Sequence, residues 1–457
     1  MSNEIALKTE RKEFNKRLVR IALPIALQSL IMSSLTLLDT LMVNKLGELP
    51  LAAVGLASQL FSVQFMVVFG FTTGCATFFT QFWGARDIKS IKKVLGVALT
   101  ASLLISFLFF IVSIIWPVGV LKIFTNSSEA AELGAEYLKY AAINFVILGI
   151  TMPIADALRS TQQTMTPMMI SAASFFTDLV FNYLLIFGKF GFPRLGVKGA
   201  AIATVIARAL ELVLFIIVIF GKKNILAGPI KEYFSYSKDF AISVIKNAWV
   251  TTLNETLWSS AVAMQNAAFG RIGVTEFAAV QASRTIMDLF QTAGYCIGDA
   301  TLILIGEQLG KNQIDEAKKM SGWLIRACLE VGIVTAALLI IFNKPILTLF
   351  TLTEEGYMYA GYLNIVRAVL LPANLLNALL ISGMFRAGGD VRFAATTEIS
   401  IMWLYSVPAA FIFALVLKLP VHWVLLLVQC ESLLKIAILL KRYASGKWLK
   451  NMIQGMR

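Results

Sequence analysis

Residues 47–57 read GELPLAAVGLA, and residues 273–283 read GVTEFAAVQAS, a shift of 226 positions. The shift aligns Gly47 with Gly273 and Ala52-Ala53-Val54 with Ala278-Ala279-Val280. It also aligns Gly84 with Gly310, Ile88 with Ile314, and Lys92-Lys93 with Lys318-Lys319. Further on it aligns Leu121, Phe124 and Thr125 with Leu347, Phe350 and Thr351. One inserted residue later, Arg159 meets Arg386 and Pro193 meets Pro420. Chance hydrophobic similarity does not pair glycines and lysines at one fixed offset, so the chain reads as two copies of one unit.

Composition says what the unit is. Of 457 residues, 58% are hydrophobic and 15% charged, more apolar surface than a soluble domain can hide. A bilayer core takes roughly 20 apolar residues per helix. Apolar runs between polar breaks place spans near 18–43, 51–80, 94–116, 133–158, 167–187 and 197–220. The second set lies near 241–269, 277–305, 321–342, 357–385, 394–417 and 421–440. The expected fold is an all-α integral membrane protein with twelve transmembrane helices. Its expected domains are a six-helix lobe over 1–220, a cytoplasmic linker over 221–240, and a second lobe over 241–457 ending in a basic tail. Six spans per copy is even, so both copies enter the membrane the same way, as in the parallel repeats of some secondary transporters.

The net charge of +13 does not point to nucleic acid, because Lys and Arg sit at the ends of apolar runs. Lys8, Arg11, Lys12, Lys16, Arg17, Arg20, Arg86, Lys89, Lys92 and Lys93 fall on one side. So do Lys222, Lys223, Lys231, Lys238, Lys311, Lys318, Lys319, Arg386, Arg392 and the tail from Lys441. By the positive-inside rule both termini are cytoplasmic. The N-terminal stretch carries no cleavable signal pattern. Cys75, Cys296, Cys328 and Cys430 have unrelated spacings inside apolar runs and read as packing residues. No GxxxxGK[ST] loop is present, which disfavours ATP as the energy source and leaves a carrier, not an enzyme.

Charges inside spans are costly and need a partner or a purpose. Helical spacing supplies local partners for Asp156 with Arg159, Arg208 with Glu211, Arg284 with Asp288, Arg326 with Glu330, and Glu431 with Lys435. Asp39, Asp178 and Glu255 have no basic residue within a turn. Asp39 lies six residues from Lys45, Asn182 six from Gly188, and Thr204 six from Lys198, with Asp178 one turn below Asn182. These four oxygen-bearing groups share a stratum, and their chemistry suits Na⁺ or a buried proton site. The alternative is a polar packing network without a transported ion. The repeat pairs Asp39 with Gln265, Glu255 with Ser29 and Asp178 with Tyr405, so the acids are not inherited scaffold. Pro24, in the helix of Asp39, is a candidate bend. Trp258, Gln281, Asn374 and Asn377 are candidate substrate contacts, and aromatics such as Phe290, Trp403 and Tyr405 could line the same cavity.

Four stretches carry a resemblance to a known family: ALPIALQSLIMSSLTLLDTLMVNKLGELPLAAVGLA at 22–57, LRSTQQTMTPMM at 158–169, FNYLLIFGKFGFPRLGVKGAAIATVIAR at 181–208, and FRAGGDVRF at 385–393. The sequence resembles the multidrug and toxic compound extrusion (MATE) family over essentially its whole length. The resemblance implies a V-shaped twelve-helix antiporter in the plasma (inner) membrane of a prokaryote. It would export organic, often cationic, compounds against entering H⁺ or Na⁺, as a monomer among membrane lipids and with no cofactor beyond the ion. Asp39 matches the coupling acid of span 1, and Thr204 the hydroxyl of span 6. The span 5 pair, usually Asn followed by Asp or Asn, stands here as Asp178 then Asn182. Glu255 matches the span 7 acid of members with a second-lobe cation site. The acid those members add in span 10 is absent, with Asn374 and Asn377 the nearby polar residues. A flippase for lipid-linked precursors, from the related superfamily, is the alternative. It would need unpaired cations in the membrane, for which Lys246 and Arg367 are candidates.

Overall fold

A computed structural model describes residues 2–221 and 224–456, with side chains from residue 9 onward. Lys222, Lys223, Arg457 and the side chain of Lys8 lie outside the described residues. The described chain is mostly helical and forms no strand. Among the described residues, eleven helices are long and apolar enough to cross a membrane by length and composition. They include Glu48–Gly84, Ile88–Ile115, Met165–Phe187, Val197–Gly221, Val274–Gly310, Glu354–Phe385 and Val391–Val416. Lys238–Gly270, with 33 residues, makes the twelfth long helix; Lys246, Asn247, Asn254 and Glu255 dilute its apolar face. The span expected over 133–158 divides at Ala142 into Ser128–Ala141 and Ile143–Ser160.

The chain forms two compact units, residues 27–252 and residues 1–26 with 253–457. The expected lobes of 1–220 and 241–457 part differently, and side chains explain why. Arg17 pairs with Glu307, Glu10 with Lys319, and Phe14 lies 5.1 Å from the ring of Trp323, so the first 26 residues group with the second half. Asn247 donates to the Gly74 carbonyl at 3.0 Å and Thr251 to that of Gly70 at 2.7 Å, so the start of Lys238–Gly270 groups with the first. The first helix, Ser2–Asn44, stays helical through Pro24, and the division falls between Ala26 and Leu27.

Residues 27–252 pack around small side chains that let helices approach: Ala57, Ala131, Ala135, Ala141, Ala142 and Ala201 are buried around Phe145, on which Phe61 stacks at 4.2 Å. Large apolar side chains such as Leu104, Leu108, Val369 and Leu404 point outward, the inversion expected where the solvent is lipid. One proline sits where helical hydrogen bonding shifts register. Pro408 lacks the N–H that would bond Leu404, and wider π-helical turns occupy Met402–Ser406 and Ile412–Val416 on either side.

The duplication continues beyond the helices. After the sixth span, Asn224 accepts from the backbone N–H of Leu226 at 3.0 Å, and Leu226 is fully buried. At a shift of 227, after the last span, Asn451 accepts from the N–H of Ile453 at 3.2 Å, and Ile453 is fully buried. Each hook holds an equivalent loop of its own unit. Asn224 donates to Gln163 at 2.5 Å, while Asp390, the residue 227 positions after Gln163, receives Lys450 at 2.7 Å and Arg442 at 2.7 and 3.0 Å. The residues before them, Gln162 (φ 65°) and Gly389 (φ 68°), both adopt the left-handed conformation. Trp448 is fully buried in the second hook, and a Cβ on Gly388 would stand 1.8 Å from its carbonyl oxygen, so only glycine fits.

Two outcomes follow for the tail. Trp448→Ala removes a buried indole and should lower stability by about 3–5 kcal/mol, read as a clear drop in melting temperature of the detergent-purified protein. An unchanged melting temperature would mean the tail is not part of the packed fold. Burial works against ionisation of Asp390, but hydrogen bonds from Arg442 and Lys450 outweigh it and hold its carboxyl below the usual range. A depressed folded-state value gives stability that is complete above the ordinary carboxylate range and is lost as pH falls through the folded value. Acidification should therefore lower the melting temperature of the wild type more than that of Asp390→Asn; parallel losses would refute the assignment.

Candidate functional site

In residues 27–252, three helices bring together the acids whose depth was counted from the loops. Asp39 comes from the first helix, Asp178 and Asn182 from Met165–Phe187, and Thr204 from Val197–Gly221. The Asn182 amide donates one N–H to Asp39 Oδ1 at 2.8 Å and the other to Asp178 Oδ2 at 2.7 Å. Asp178 and Asn182 are fully buried, while Asp39 is half-buried. A single amide thus fixes two carboxylates side by side. The remaining oxygens, Asp178 Oδ1 and Asn182 Oδ1, are buried and accept from no group of the protein. Two neighbouring carboxylates repel, and leaving buried acceptors unpaired is costly, so these oxygens offer acceptors for a proton or a small cation. The residues present fit such an ion in charge and in donor type.

Thr204 donates its hydroxyl to the Ala200 carbonyl at 3.0 Å and lies beside Asp178 and Tyr137. Tyr137, on Ser128–Ala141, is buried next to the carboxylates and was not among the sequence candidates. Its position is a matter of tertiary packing, since nothing in its local sequence sets it apart from a core aromatic. Arg208 follows Thr204 by one turn and pairs with Glu211 at 2.8 Å, as expected, yet its charge also reaches Asp39 and Asp178. The spacing rule found the first partner and missed the second role. No group of three or more His, Cys, Asp or Glu side chains suited to a metal occurs among the described residues.

The second unit corrects several expectations. Glu255 is not unpaired: Arg386 donates to its carboxylate at 2.8 Å, and both side chains are largely buried. These residues are 131 positions apart, which no helical spacing reveals. Its neighbour Asn254 donates to Glu398 at 2.8 Å. Asn377 donates to the Ser432 carbonyl at 2.9 Å and so ties Glu354–Phe385 to the last helix pair, leaving Asn374 half-buried nearby. Trp258 packs beside Ala261, Met402, Val407 and Trp403, a small apolar core and not an open face. Gln281 is half-buried, and its carbonyl receives the Thr285 hydroxyl at 3.1 Å.

Four of the five local ion pairs form: Arg159–Asp156 at 2.5 Å, Arg208–Glu211 at 2.8 Å, Arg326–Glu330 at 3.0 Å and Lys435–Glu431 at 3.2 Å. The fifth does not. Asp288 accepts instead from Gln291, three residues on, at 2.8 Å, leaving Arg284 outside the bond. An i,i+4 spacing makes a pair possible, but a nearer amide in the same turn competes for the carboxylate.

Comparison with known proteins bears on the family and the fold. The family model described as MatE matches the chain twice, over residues 24–184 and 248–412, one match in each copy of the repeat. The uncharacterized transporter YisQ of Bacillus subtilis is 26% identical over 416 residues, 90% of either chain. A probable multidrug resistance protein, NorM, of Thermotoga maritima is 22% identical over 453 residues, 98% of this chain and 96% of its own. Among solved structures, a MATE in the bent conformation aligns with a TM-score of 0.86 at 19% identity, covering 96% of this chain and 97% of that one. A MOP superfamily transporter from Pyrococcus furiosus, noted for the reverse polarity of its binding pocket, aligns at 0.83 and 20% identity over 95% and 97%. With both copies of the repeat matched and the whole helical fold reproduced, the chain belongs to the MATE family: it is a multi-pass membrane transporter, not an enzyme.

Proposed function

We propose that the protein exports amphipathic, often cationic small molecules in exchange for H⁺ or Na⁺ entering the cell. The observation that carries this reading is the pair of carboxylates bridged by Asn182, with two buried oxygens left over. An acidic site that prefers an added cation serves alternately the ion and a cationic substrate, and mutual exclusion couples the two fluxes. Relatives carrying the description of probable multidrug resistance proteins support the substrate class. The two copies of the repeat, read from the sequence as 1–220 and 241–457 and grouped by packing as 27–252 and as 1–26 with 253–457, serve in this reading as the two halves of an alternating-access carrier. The positive-inside count supports cytoplasmic termini; in this reading the protein works as a monomer in the plasma (inner) membrane of a prokaryotic cell. No cofactor beyond the ion is needed. In this reading the first-half site couples, and Glu255, already neutralised by Arg386, is the weaker candidate for a second ion site.

Ethidium efflux from proteoliposomes tests the proposal under a proton gradient and, separately, a sodium gradient. Gradient-driven efflux should fall by about tenfold or more in Asp39→Asn and far less in Glu255→Gln, with the effective gradient naming the ion. Efflux indifferent to both gradients and both substitutions would sink antiport and favour flipping of a lipid-linked precursor. Pro24 adds a second test. A proline inside a helix costs about 3 kcal/mol, and this one stands two residues before the division between the compact units. Pro24→Ala should raise the melting temperature while slowing efflux; faster or equal efflux would remove any role for a bend there.

A further inference from the structure

A second set of charges, opposite in sign to the Asp39 site, lies within residues 253–457. Arg284 stands ten residues into Val274–Gly310, and Arg367 thirteen residues into Glu354–Phe385. At 1.5 Å per residue these positions are about 15 and 20 Å from the starts of their helices, near the middle of a core about 30 Å thick. The two helices pack against each other, with Leu375 seated against Gly294, which brings Arg284 and Arg367 to neighbouring levels where their charges act on each other and on Asp288. Neither has settled on a partner. Asp288 Oδ1 accepts from Gln291, Gln291 in turn accepts from the Tyr295 hydroxyl at 3.3 Å, and Arg367 Nε is buried without a hydrogen bond.

Two guanidiniums facing one carboxylate leave one positive charge in excess at mid-membrane. An isolated charge there costs about 2.5–3.5 kcal/mol or more. The arginines also repel one another, and an anionic group between them would offset that repulsion. A guanidinium differs from an ammonium in presenting parallel N–H groups that match two oxygens of one acidic group.

We infer that Arg284 and Arg367 form a receptor for the anionic group of an amphipathic substrate: a carboxylate, sulfonate or phosphate. The substrate range then includes zwitterions as well as cations, with Asp288 and its Gln291–Tyr295 chain limiting the positive charge of the empty receptor. This rests on the reading of the protein as a carrier of amphipathic molecules. The same chemistry could be met by a free substrate or by the phosphate of a lipid headgroup.

The test compares two dyes that differ by one ester. Tetramethylrhodamine carries a free carboxylate, and its ethyl ester does not. Binding to the full-length protein in phosphatidylcholine nanodiscs is read by fluorescence anisotropy. The wild type should prefer the free acid by about tenfold. Arg284→Gln and Arg367→Gln should lose that preference while still binding the ester, and Arg367→Lys, with charge but no fork, should keep part of it. Adding phosphatidylglycerol distinguishes the sources: selective loss of free-acid binding supports the receptor with lipid phosphate as its ligand, and no effect supports it with the free substrate. Equal affinity for the two dyes in the wild type, or a preference retained in both glutamine variants, overturns the receptor alone. Failure of the wild type to bind either dye overturns the carrier reading with it.

Discussion

Hydrocarbon offers a polar group nothing to bond, so every buried donor and acceptor must find its partner inside the protein. That constraint accounts for most of the polar contacts between helices. Gln64 reaches the Ser106 hydroxyl at 2.9 Å and the Phe145 carbonyl at 3.2 Å. Asn377 is held on a backbone carbonyl, Asn254 on Glu398, and the buried Glu255 on Arg386. Such bonds contribute little net stability, but leaving one member unpaired costs several times more, so they fix which helices meet and in what register. Against this background the unsatisfied atoms stand out. Gln64 Oε1, Asn254 Oδ1 and Asn377 Oδ1 lack a partner as well, but Asp178 Oδ1 and Asn182 Oδ1 lie beside two bridged carboxylates, and Arg367 Nε is a donor without an acceptor in the other unit.

The repeat separates what a lobe needs in order to fold from what it needs in order to act. Glycines, the basic loop residues and the hook after the sixth helix recur in both copies, because each copy must end its bundle and close the same loop. The charges diverge. Gln265, the counterpart of Asp39, donates to the Ser406 hydroxyl at 2.8 Å. Tyr405, the counterpart of Asp178, donates to the Leu427 carbonyl at 2.8 Å. At these positions the second copy has closed with neutral hydrogen bonds what the first keeps open as a carboxylate pair. Conversely, Gln163 of the first hook is neutral where Asp390 of the second is charged and doubly paired.

Regularities imposed by the solvent were legible in the sequence. A bilayer demands runs of apolar residues, so the helices are visible as runs. Depth can be counted from loop residues, and the count puts Asp39, Asp178, Asn182 and Thr204 at one level from the sequence alone. Pairs within a turn were legible too, since helix geometry alone brings them together. Contacts set by packing between distant segments were not. Glu255 and Arg386 meet across 131 residues, Arg208 extends its field beyond Glu211, and Tyr137 reaches the carboxylates from a helix that reads as ordinary core. Arg284 and Asp288 show the converse: permitted spacing gave no bond, because Gln291 competes. The tail hook is not legible because its signal is one asparagine two residues before one apolar side chain, far too short to stand out.

The bridged pair also sets a scale for the proposed exchange. A ligand shifts a conformational equilibrium only by the difference in its affinity for the two states. Carboxylate oxygens that share one amide nitrogen at 2.8 and 2.7 Å are on the order of 5 Å apart, and two unit charges at that separation repel by about 3 kcal/mol at an effective dielectric of 20. Removing that repulsion with a proton or Na⁺ is worth a shift of roughly a hundredfold in the population of the state that holds the acids together. The same sum limits the ion: if a conformation parted Asp39 from Asp178, the repulsion would vanish there without any ion bound. In the proposed exchange the ion would favour the conformation in which Asn182 bridges both acids. A substrate that took over Asp39 would favour one in which that bridge is broken.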